Sequence, residues 1–400
     1  MSQPSTQTLA ASSPQRPQRR LSWNDPGVRA VVYQVLAVAA VGLVIWFLVS
    51  NTLHNLAARN IATGFGFLWR EAGFAIGESL IDYGPANSYG RAIVVGLVNT
   101  LRVALIALVL STALGILIGI ARLSKNWLIN RLASVYVEVM RNVPLLIQLF
   151  FWYAVITENM PGPRQALNPL PGFFISNRGL KLPALQGNAL DWMLWGLGLA
   201  IVAIIGLHRW GSKRQEATGK VFPLFRAALA LVIGLPIIGW LASGASLTLD
   251  MPVLKGFNFQ GGLTLTPEFA ALLAGLTIYT SAFIAEVVRS GIQAVNHGQT
   301  EAASSLGLRR GLVLRLVVLP QALRVIIPPM TSQYLNLTKN SSLAVAIGYP
   351  DIVSVVNTTL NQTGQAIEGI LIIMGAYLTV SLSISIFMNW YNKRIALVER

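Results

Sequence analysis

Four polar side chains recur on one face of an apolar segment late in the chain. They stand at positions i, i+4, i+7 and i+8 of a helical repeat, which places in one stripe Ser332, Asn336, Lys339 and Asn340. Polar groups within a membrane are costly, so such a stripe turns toward a partner helix or a water-filled path, and the spacing leaves both open. A buried ammonium at Lys339 needs a partner, such as a ligand carboxylate, Glu286 or a lipid headgroup.

Four further polar residues interrupt other apolar runs and are candidates for the same path. They are Asn99, Thr100, Gln148 and Thr277. The run 92 to 121 is too long for one bilayer crossing. We therefore predict that residues 96 to 101 form a surface or re-entrant turn, with Arg102 as an anchor at the interface.

Two Glu-x-x-Arg spacings place opposite charges on one helical face. They pair Glu138 with Arg141 and Glu286 with Arg289. We interpret both as structural ion pairs at a membrane edge that brace two helices, rather than as contacts with a ligand.

Several kinds of chemistry are excluded by residue type. Cys is absent, and the three His residues fall on three different connections, so we expect no metal site. There is no phosphate-binding loop of the Gly-x4-Gly-Lys-Ser/Thr kind, so we expect no ATP hydrolysis by this chain. We predict no catalytic residue and no cofactor of its own.

Composition indicates a multispan membrane protein. Hydrophobic residues make up 54% of the 400 residues and charged residues 11%. The net charge of +15 does not indicate a nucleic-acid binder, because the charges are dispersed between apolar runs instead of forming a soluble patch.

The connections between apolar runs alternate in charge, which predicts the orientation. Eight spans are predicted at 31 to 50, 101 to 121, 143 to 158, 191 to 207, 226 to 243, 267 to 288, 325 to 345 and 369 to 390. The segments on one side carry 21 Lys and Arg residues and those on the other carry 7. By the positive-inside rule both termini are cytosolic.

Two regions are predicted before a common core at 92 to 392, and a third is inserted within that core. Residues 1 to 30 form a disordered cytosolic tail, since they hold almost no apolar side chains. Residues 31 to 91 form an extra N-terminal span and an extracytoplasmic loop. Residues 159 to 243 form an inserted helical hairpin, which enters and leaves on one side of the membrane.

A short cytosolic helix is predicted from Thr300 to Leu306, between Gly298 and Gly307. Small residues make it thin, Glu301 suits its first turn, and Gly307 can take a left-handed cap. A basic amphipathic helix with Leu at helical spacing follows and ends at Leu319-Pro320, and Pro328-Pro329 is expected to bend the next helix. On periodicity alone the region is an amphipathic connector between two spans.

The residue types and spacing of this region resemble a known loop. Glu301-Ala302-Ala303, Gly307 four residues later and Leu319-Pro320 resemble the EAA loop of binding-protein-dependent ABC transporter permeases. The runs RNVPLL (141 to 146), LPQALRVIIPPM (319 to 330) and KNSSLA (339 to 344) resemble the polar amino-acid branch, of the histidine, glutamine and glutamate type. With its extra span and inserted hairpin, the chain is most similar to permeases of general L-amino acid transport systems.

The resemblance implies a fold, a function and partners. The fold is an all-α polytopic permease domain with about eight transmembrane helices. The function is translocation of L-amino acids across a bacterial inner membrane, with Thr300, Glu301, Ala302, Ala303 and Gly307 coupling the chain to an ATPase. The implied partners are a second homologous permease, two ATP-binding subunits that hold ATP and Mg, and a periplasmic amino-acid-binding protein.

Two other classes compete with this interpretation. An ion-coupled secondary transporter or channel predicts matched inverted halves and acidic residues deep in spans, and neither is evident. A membrane anchor without transport predicts no polar stripe inside the membrane.

Overall fold

The computed structural model describes residues 26–58, 63–185, 189–219, 222–244 and 249–395, in two compact units that divide after Gly64. The first unit contains helix α1 (Pro26–Ala58), whose apolar side chains are exposed from Val31 to Val49. This helix is long and apolar enough to cross a bilayer. Of the predicted tail, residues 1–25 lie outside the described residues, and 26–30 belong to α1.

The second unit is built mainly from helices. They are α2 (Tyr89–Ala121), α3 (Trp127–Asn142), α4 (Leu145–Asn159), α5 (Ala189–Thr218), α6 (Leu224–Ala242), α7 (Pro267–Gln293), α8 (His297–Ser305), α9 (Arg310–Val313), α10 (Leu319–Asn340), α11 (Ile352–Thr363) and α12 (Ala366–Ile395). Short 3-10 turns lie at Phe65–Trp69, Pro163–Gln165 and Ser341–Ile347, and a π turn lies at Leu314–Val318. The second unit has two ends: the α8 end, where α2 finishes, and the opposite end, where α2 starts.

Among the described residues, six helical segments are long and apolar enough to span a membrane. The helices α3 and α4 meet at 106° and together could supply a seventh span, and α6 is a shorter apolar helix. The predicted span at 143 to 158 corresponds to the bent α3–α4 pair, and the predicted span at 226 to 243 corresponds to α6. The total of eight therefore stays a prediction.

Small β-sheets correct the all-α expectation. The strands are β1 (Leu167–Leu170), β2 (Phe173–Ser176), β3 (Gly179–Leu182), β4 (Ala184–Leu185), β5 (Leu249–Asp250), β6 (Val253–Lys255), β7 (Asn258–Gln260) and β8 (Leu263–Leu265). An antiparallel sheet has the order β1-β2-β3-β8, while β4 pairs with β5 and β6 with β7. Strands of two to four residues are too short for an alternating pattern to be recognised in a Pro/Gly-rich stretch.

The centre of the second unit is a close contact between α2 and α7. A Cβ atom at Gly115 would lie 2.5 Å from Ile284 Cγ2, and one at Gly119 would lie 2.8 Å from the carbonyl oxygen of Ala285. Two glycines four residues apart on one helical face thus let the backbones approach, as small residues do between membrane helices.

Two predicted features of the helices are wrong, and a third stays a prediction. Residues 96 to 101 are not a separate turn but part of one helix, α2, because Ser88 caps its start and protein covers its first turns. The helix before Pro320 does not end there, since the π turn at Leu314–Val318 precedes the proline and α10 continues. The same helix is not broken at Pro328 and Pro329, and the bend expected there stays a prediction.

Candidate functional site: an exposed helix and a polar groove

The short helix α8 is fixed at both ends by local hydrogen bonds. Asn296 caps its start, where Oδ1 accepts from the backbone N–H of Gly298 at 2.9 Å. At its end, Gly307 (φ +77°) and Leu308 donate from their backbone N–H groups to the carbonyl oxygens of Ser304 and Ala303. These two hydrogen bonds form a Schellman cap, which requires a residue in the left-handed conformation such as this glycine. The helix begins three residues before the predicted Thr300.

One alanine of α8 anchors the helix, and most of the other residues are exposed. Ala303 is buried against Val313, Val318 and partly buried side chains around them. Glu301, Ala302, Ser304 and Ser305 are exposed, and Leu306 is 82% exposed. His297 Nδ1 lies 2.9 Å from Glu301 Oε1 on the exposed surface. Of the predicted coupling residues, Ala303 therefore seats α8 on its own subunit, while Glu301 and Ala302 are available to a partner.

The end of α7 that leads to α8 is tied to α2 by charge. Glu286 Oε1 lies 2.5 Å from Arg289 Nη2, so the predicted spacing does bring these side chains together. The second oxygen of Glu286 accepts a hydrogen bond from Arg122, which follows α2. Arg122 Nε also lies 3.4 Å from Ser134 Oγ of α3. Three helices are thus braced at Glu286, eight residues before the α7–α8 connection starts.

The second predicted pair requires a correction. Within the described part of the chain no ion pair joins Glu138 to Arg141, and both side chains are exposed. The guanidinium of Arg141 lies 5.1 Å from the ring centroid of Phe283 on α7, a cation–π contact. The connection of α3 with α7 therefore uses an aromatic ring instead of a carboxylate.

A polar groove of about 260 Å³ lies between α7 and α10. Its lining residues are Tyr279, Thr280, Phe283, Gln333, Asn336, Leu337 and Asn340. Asn336 and Asn340 of the predicted stripe line it, while Ser332 and Lys339 lie on the same exposed side of α10. In the part of the chain that the structure describes, no acidic side chain pairs with Lys339. The groove offers amide and hydroxyl groups with cations nearby, which suits a ligand that carries a carboxylate.

The other predicted path residues lie away from this groove and bond within the protein. Asn99 Nδ2 donates to the carbonyl oxygens of Glu78 and Pro350, and Thr100 Oγ1 accepts from the N–H of Ile352 at 3.0 Å. Gln148 Nε2 donates at 3.0 Å to two carbonyl oxygens at the end of α3 and so bridges the break before α4. The hydroxyl of Thr277 is buried on α7 and has no hydrogen-bond partner among the described residues.

A buried charge cluster lies at the opposite end of the unit. Arg102 Nη1 lies 2.5 Å from Glu78 Oε1, and Thr266 Oγ1 donates to Glu78 Oε2 at 2.7 Å. Arg102 also lies over the ring of Phe269. Arg102 is therefore paired with a loop carboxylate, and its place at the membrane interface stays a prediction. Sequence reasoning missed this pair because Glu78 is 24 residues away in an irregular loop.

A fully buried carboxylate caps α11 at that end. Asp351 Oδ1 accepts from the N–H of Ser354 at 2.8 Å, and the hydroxyl of Tyr377 also faces this carboxylate. Burial raises the pKa of Asp351 to about 7, against the lowering effect of its backbone hydrogen bonds. No group of three or more His, Asp or Glu side chains in the described residues is placed to hold a metal ion.

Comparison with known proteins assigns the chain to a family. Residues 218–397 match the family described as binding-protein-dependent transport system inner membrane component. The permease protein YhdX of Escherichia coli is 52% identical over 382 residues, which cover 95% of this chain and 97% of that protein. The general L-amino acid transport system permease protein AapQ of Rhizobium johnstonii is 49% identical over 382 residues, covering 95% and 96%.

A third relative is named for a different set of amino acids. The glutamate/glutamine/aspartate/asparagine transport system permease protein BztB of Rhodobacter capsulatus is 43% identical over 430 residues, covering 98% of this chain and 99% of that protein. These relatives match over nearly their whole length. The chain therefore belongs to the family of permease subunits of binding-protein-dependent ABC transporters, as a multi-pass protein of the inner membrane.

Proposed function

We propose that this permease moves L-amino acids inward across a bacterial inner membrane, and that a separate ATPase drives it through α8. The substrate class follows the names of the relatives, AapQ and BztB among them. The observation that carries the coupling role is the exposure of α8, which is rigidly capped and seated by Ala303 yet presents Glu301 and Leu306 to solvent. A capped helix with one anchored side can transmit a displacement without unfolding.

The proposed assembly follows from the same assignment. It contains a second homologous permease, two ATP-binding subunits that bind ATP and Mg, and a periplasmic amino-acid-binding protein. The α8 end faces the cytosol, both termini are cytosolic and eight segments cross the membrane, with α1 as the extra N-terminal helix and α5–α6 as the inserted hairpin. This chain supplies no catalytic residue.

The proposed path runs along the exposed polar side of α10. Asn336 and Asn340 line the groove, and Lys339 presents an ammonium group that no carboxylate of the described chain neutralises. Polar residues on a span that its own subunit leaves uncovered are expected to meet a partner or water. A second permease placed there would close the groove into a path, with Thr277 and Gln148 on supporting helices.

The coupling role is tested with the assembled transporter in proteoliposomes. Glu301→Lys should abolish substrate-stimulated ATP hydrolysis while the protein still inserts and assembles, because it reverses charge on the exposed side of α8. Gly307→Pro should do the same, since proline cannot adopt the φ of +77°. Gln299→Lys, which adds a cation to an exposed flank of the same helix, is the matched control. Normal stimulation in both test variants would contradict the docking of α8 on an ATPase.

A further inference from the structure

The strands β1 to β8 and the turns between them lie at the end of the second unit opposite α8. Strand β8 ends at Leu265, Thr266 caps the start of α7, and α7 leads to α8 at its other end. The proposed function places the α8 end in the cytosol, so these strands face the periplasm. We call residues 161–185 and 249–265 the outer β region.

The outer β region is rich in cations for a segment on this side of a membrane. Of the seven Lys and Arg residues predicted on the extracytoplasmic side, it holds four: Arg164, Arg178, Lys181 and Lys255. It contains one acidic residue, Asp250, whose Oδ2 accepts from the N–H of Gly262 at 2.8 Å. The positive-inside rule accounts for cations on the cytosolic side of a membrane protein, not for a group of them on the other side. This group therefore requires another explanation.

Three of these four cations are exposed and free of carboxylates. Arg164, Arg178 and Lys255 are exposed, and in the part of the chain that the structure describes none of them forms an ion pair. Lys181 differs, because it is buried and its Nζ lies 2.5 Å from Thr264 Oγ1. The positive charge of the three exposed side chains is therefore available to a partner.

An exposed aromatic ring lies next to two of these cations, at the tip of the β6–β7 hairpin. Lys255 pairs with Asn258, so Gly256 and Phe257 form a two-residue turn. The side chain of Phe257 is 72% exposed, and the guanidinium of Arg164 lies 4.4 Å from its ring centroid. Aromatic residues and Arg are the types most enriched at the centres of protein interfaces.

The hairpin that carries this ring is anchored to the rest of the outer β region. Phe259, two residues after the tip, is buried, and its ring centroid lies 4.5 Å from that of Phe174 on β2. Gly256 has a φ of +66°, which fixes the turn in a conformation that other residues rarely adopt. A ring presented on a fixed turn loses little conformational freedom on binding.

The type of partner follows from charge and from the turn. A cationic surface with an exposed ring suits either an acidic protein surface or the headgroups of the bilayer. A hairpin turn does not enter the hydrocarbon region of a bilayer, because its backbone polar groups need water. The ring of Phe257 is therefore better suited to an apolar patch on a protein, where surrounding carboxylates would meet Arg164 and Lys255.

We propose that the outer β region is a docking surface for the periplasmic amino-acid-binding protein, whose contacting face is an apolar patch with carboxylates around it. This inference rests on the proposed function, which supplies the binding protein and the orientation, and it adds the place and the charge of the contact. The segment between α4 and α7 thereby gains a role in recognising a partner, separate from the polar groove on α10.

The first test measures binding of the binding protein, loaded with amino acid, to the assembled transporter in nanodiscs. Arg164→Glu and Lys255→Glu should each raise the Kd about fivefold or more at low salt, because like charges then meet at the contact. Arg70→Glu makes the same change at an exposed cation outside the outer β region, and its Kd should stay unchanged. High salt should reduce the effect of both test variants. An equal Kd for the wild type and all three variants would overturn the proposal.

The exposed ring has a test of its own. Phe257→Ala should raise the Kd about tenfold or more, whereas Phe257→Tyr, which keeps a ring, should bind like the wild type. The photoreactive p-benzoylphenylalanine at position 257 should form a covalent adduct with the binding protein on illumination. The same group at Leu199, exposed on the spanning part of α5, should form adducts with lipid only. A lipid adduct alone at position 257 would identify the bilayer as the occupant and overturn the proposal.

Failure of this inference and failure of the proposed function give different results. Basal ATP hydrolysis without binding protein should be the same in all variants, which shows that they assemble. If the wild type takes up amino acids with the binding protein and all variants bind that protein equally, only the docking surface is wrong. If the wild-type transporter neither binds the protein nor takes up amino acids, the proposed function is wrong, and the docking surface with it.

Discussion

At the scale of single residues, charged side chains of this permease are held in place by partners that include residues remote in sequence. Glu286 accepts from Arg289 on its own helix and from Arg122 after α2, and its side chain is 27% exposed. A carboxylate between two guanidinium groups keeps both cations in place. The consequence is a fixed junction of α2, α3 and α7 next to α8.

A double-mutant cycle measures this junction. For Arg122→Gln and Glu286→Gln we expect a coupling free energy of about 1 kcal/mol, because the pair is partly buried but still reached by solvent. The free energies of unfolding would be measured by denaturation of the purified permease in detergent. The matched cycle on Glu138 and Arg141, which form no ion pair, should give a coupling near zero. Equal coupling in both cycles would contradict the brace.

The proposed path predicts that Lys339 contributes to binding of the transported amino acid. Lys339→Gln should raise the KM for amino-acid uptake by about tenfold or more, because a charge-assisted hydrogen bond to a carboxylate is lost. Lys125→Gln makes the same chemical change in the exposed turn before α3 and should leave the KM unchanged. Uptake into proteoliposomes would be measured beside the yield of assembled complex. An unchanged KM would assign Lys339 to contacts between helices.

Asp351 should make stability depend on pH. Burial raises its pKa from 3.8 to about 7, so the folded state holds the proton more tightly than the unfolded state. The contribution to the free energy of unfolding is greatest below pH 4, falls as the pH rises toward 7 and is level above it, by an amount on the order of a few kcal/mol.

Asp351→Asn provides the comparison for this pH effect. Asparagine keeps the helix cap at α11 and stays neutral, so the variant should lack the loss of stability between pH 4 and 7. The measurement is thermal unfolding of both proteins across that range. Parallel pH profiles for the two proteins would rule out Asp351 as the titrating group.

At the scale of elements, the approach of α2 to α7 depends on the absence of side chains. A Cβ at Gly115 would be 2.5 Å from Ile284 Cγ2, so any larger residue must separate the helices. Gly115→Val should lower the free energy of unfolding by about 1–3 kcal/mol. Ala113→Val, two residues away on an exposed side of α2, should be nearly neutral. The measurement is the melting temperature of each variant in detergent. Similar values for Gly115→Val and Ala113→Val would contradict the close packing of α2 on α7.

Local signals in the sequence were sufficient for some elements and not for others. Gly307 and the small residues before it predicted α8, since capping involves only neighbouring residues. Periodicity likewise predicted the stripe from Ser332 to Asn340 as one side of α10. The contact of Arg122 with Glu286 joins residues 164 apart, and no local pattern could indicate it.

The missed features share a physical cause. The strands β1 to β8 have only two to four residues each, and the pairings of β3 with β8 and of β4 with β5 join partners that helices α5 and α6 separate in the sequence. Asn99 and Thr100 have the polarity expected of path residues, yet their partners are Pro350 and Ile352 near the start of α11. Whether a polar side chain contacts a ligand or another helix depends on tertiary packing, which a single sequence does not contain.

At the scale of the whole second unit, α10 separates two environments. Its stripe of polar residues faces outward beside the polar groove, and its opposite side contacts α2 and α12 around an apolar groove. The brace at Glu286 and the anchored α8 lie at one end, and the Glu78–Arg102 cluster lies at the other. Charge is thus concentrated at both ends of a helical core whose middle is held by close packing.

The antiparallel pairing of β3 with β8 places Leu182 directly opposite Leu263. Two strand ends in that register can be joined by a two-residue β-turn. We therefore expect that residues 183–262 can be removed as one unit, because the chain leaves and rejoins this strand pair at two neighbouring backbones. A lineage could acquire or discard this segment in one event while the remaining helices kept their positions.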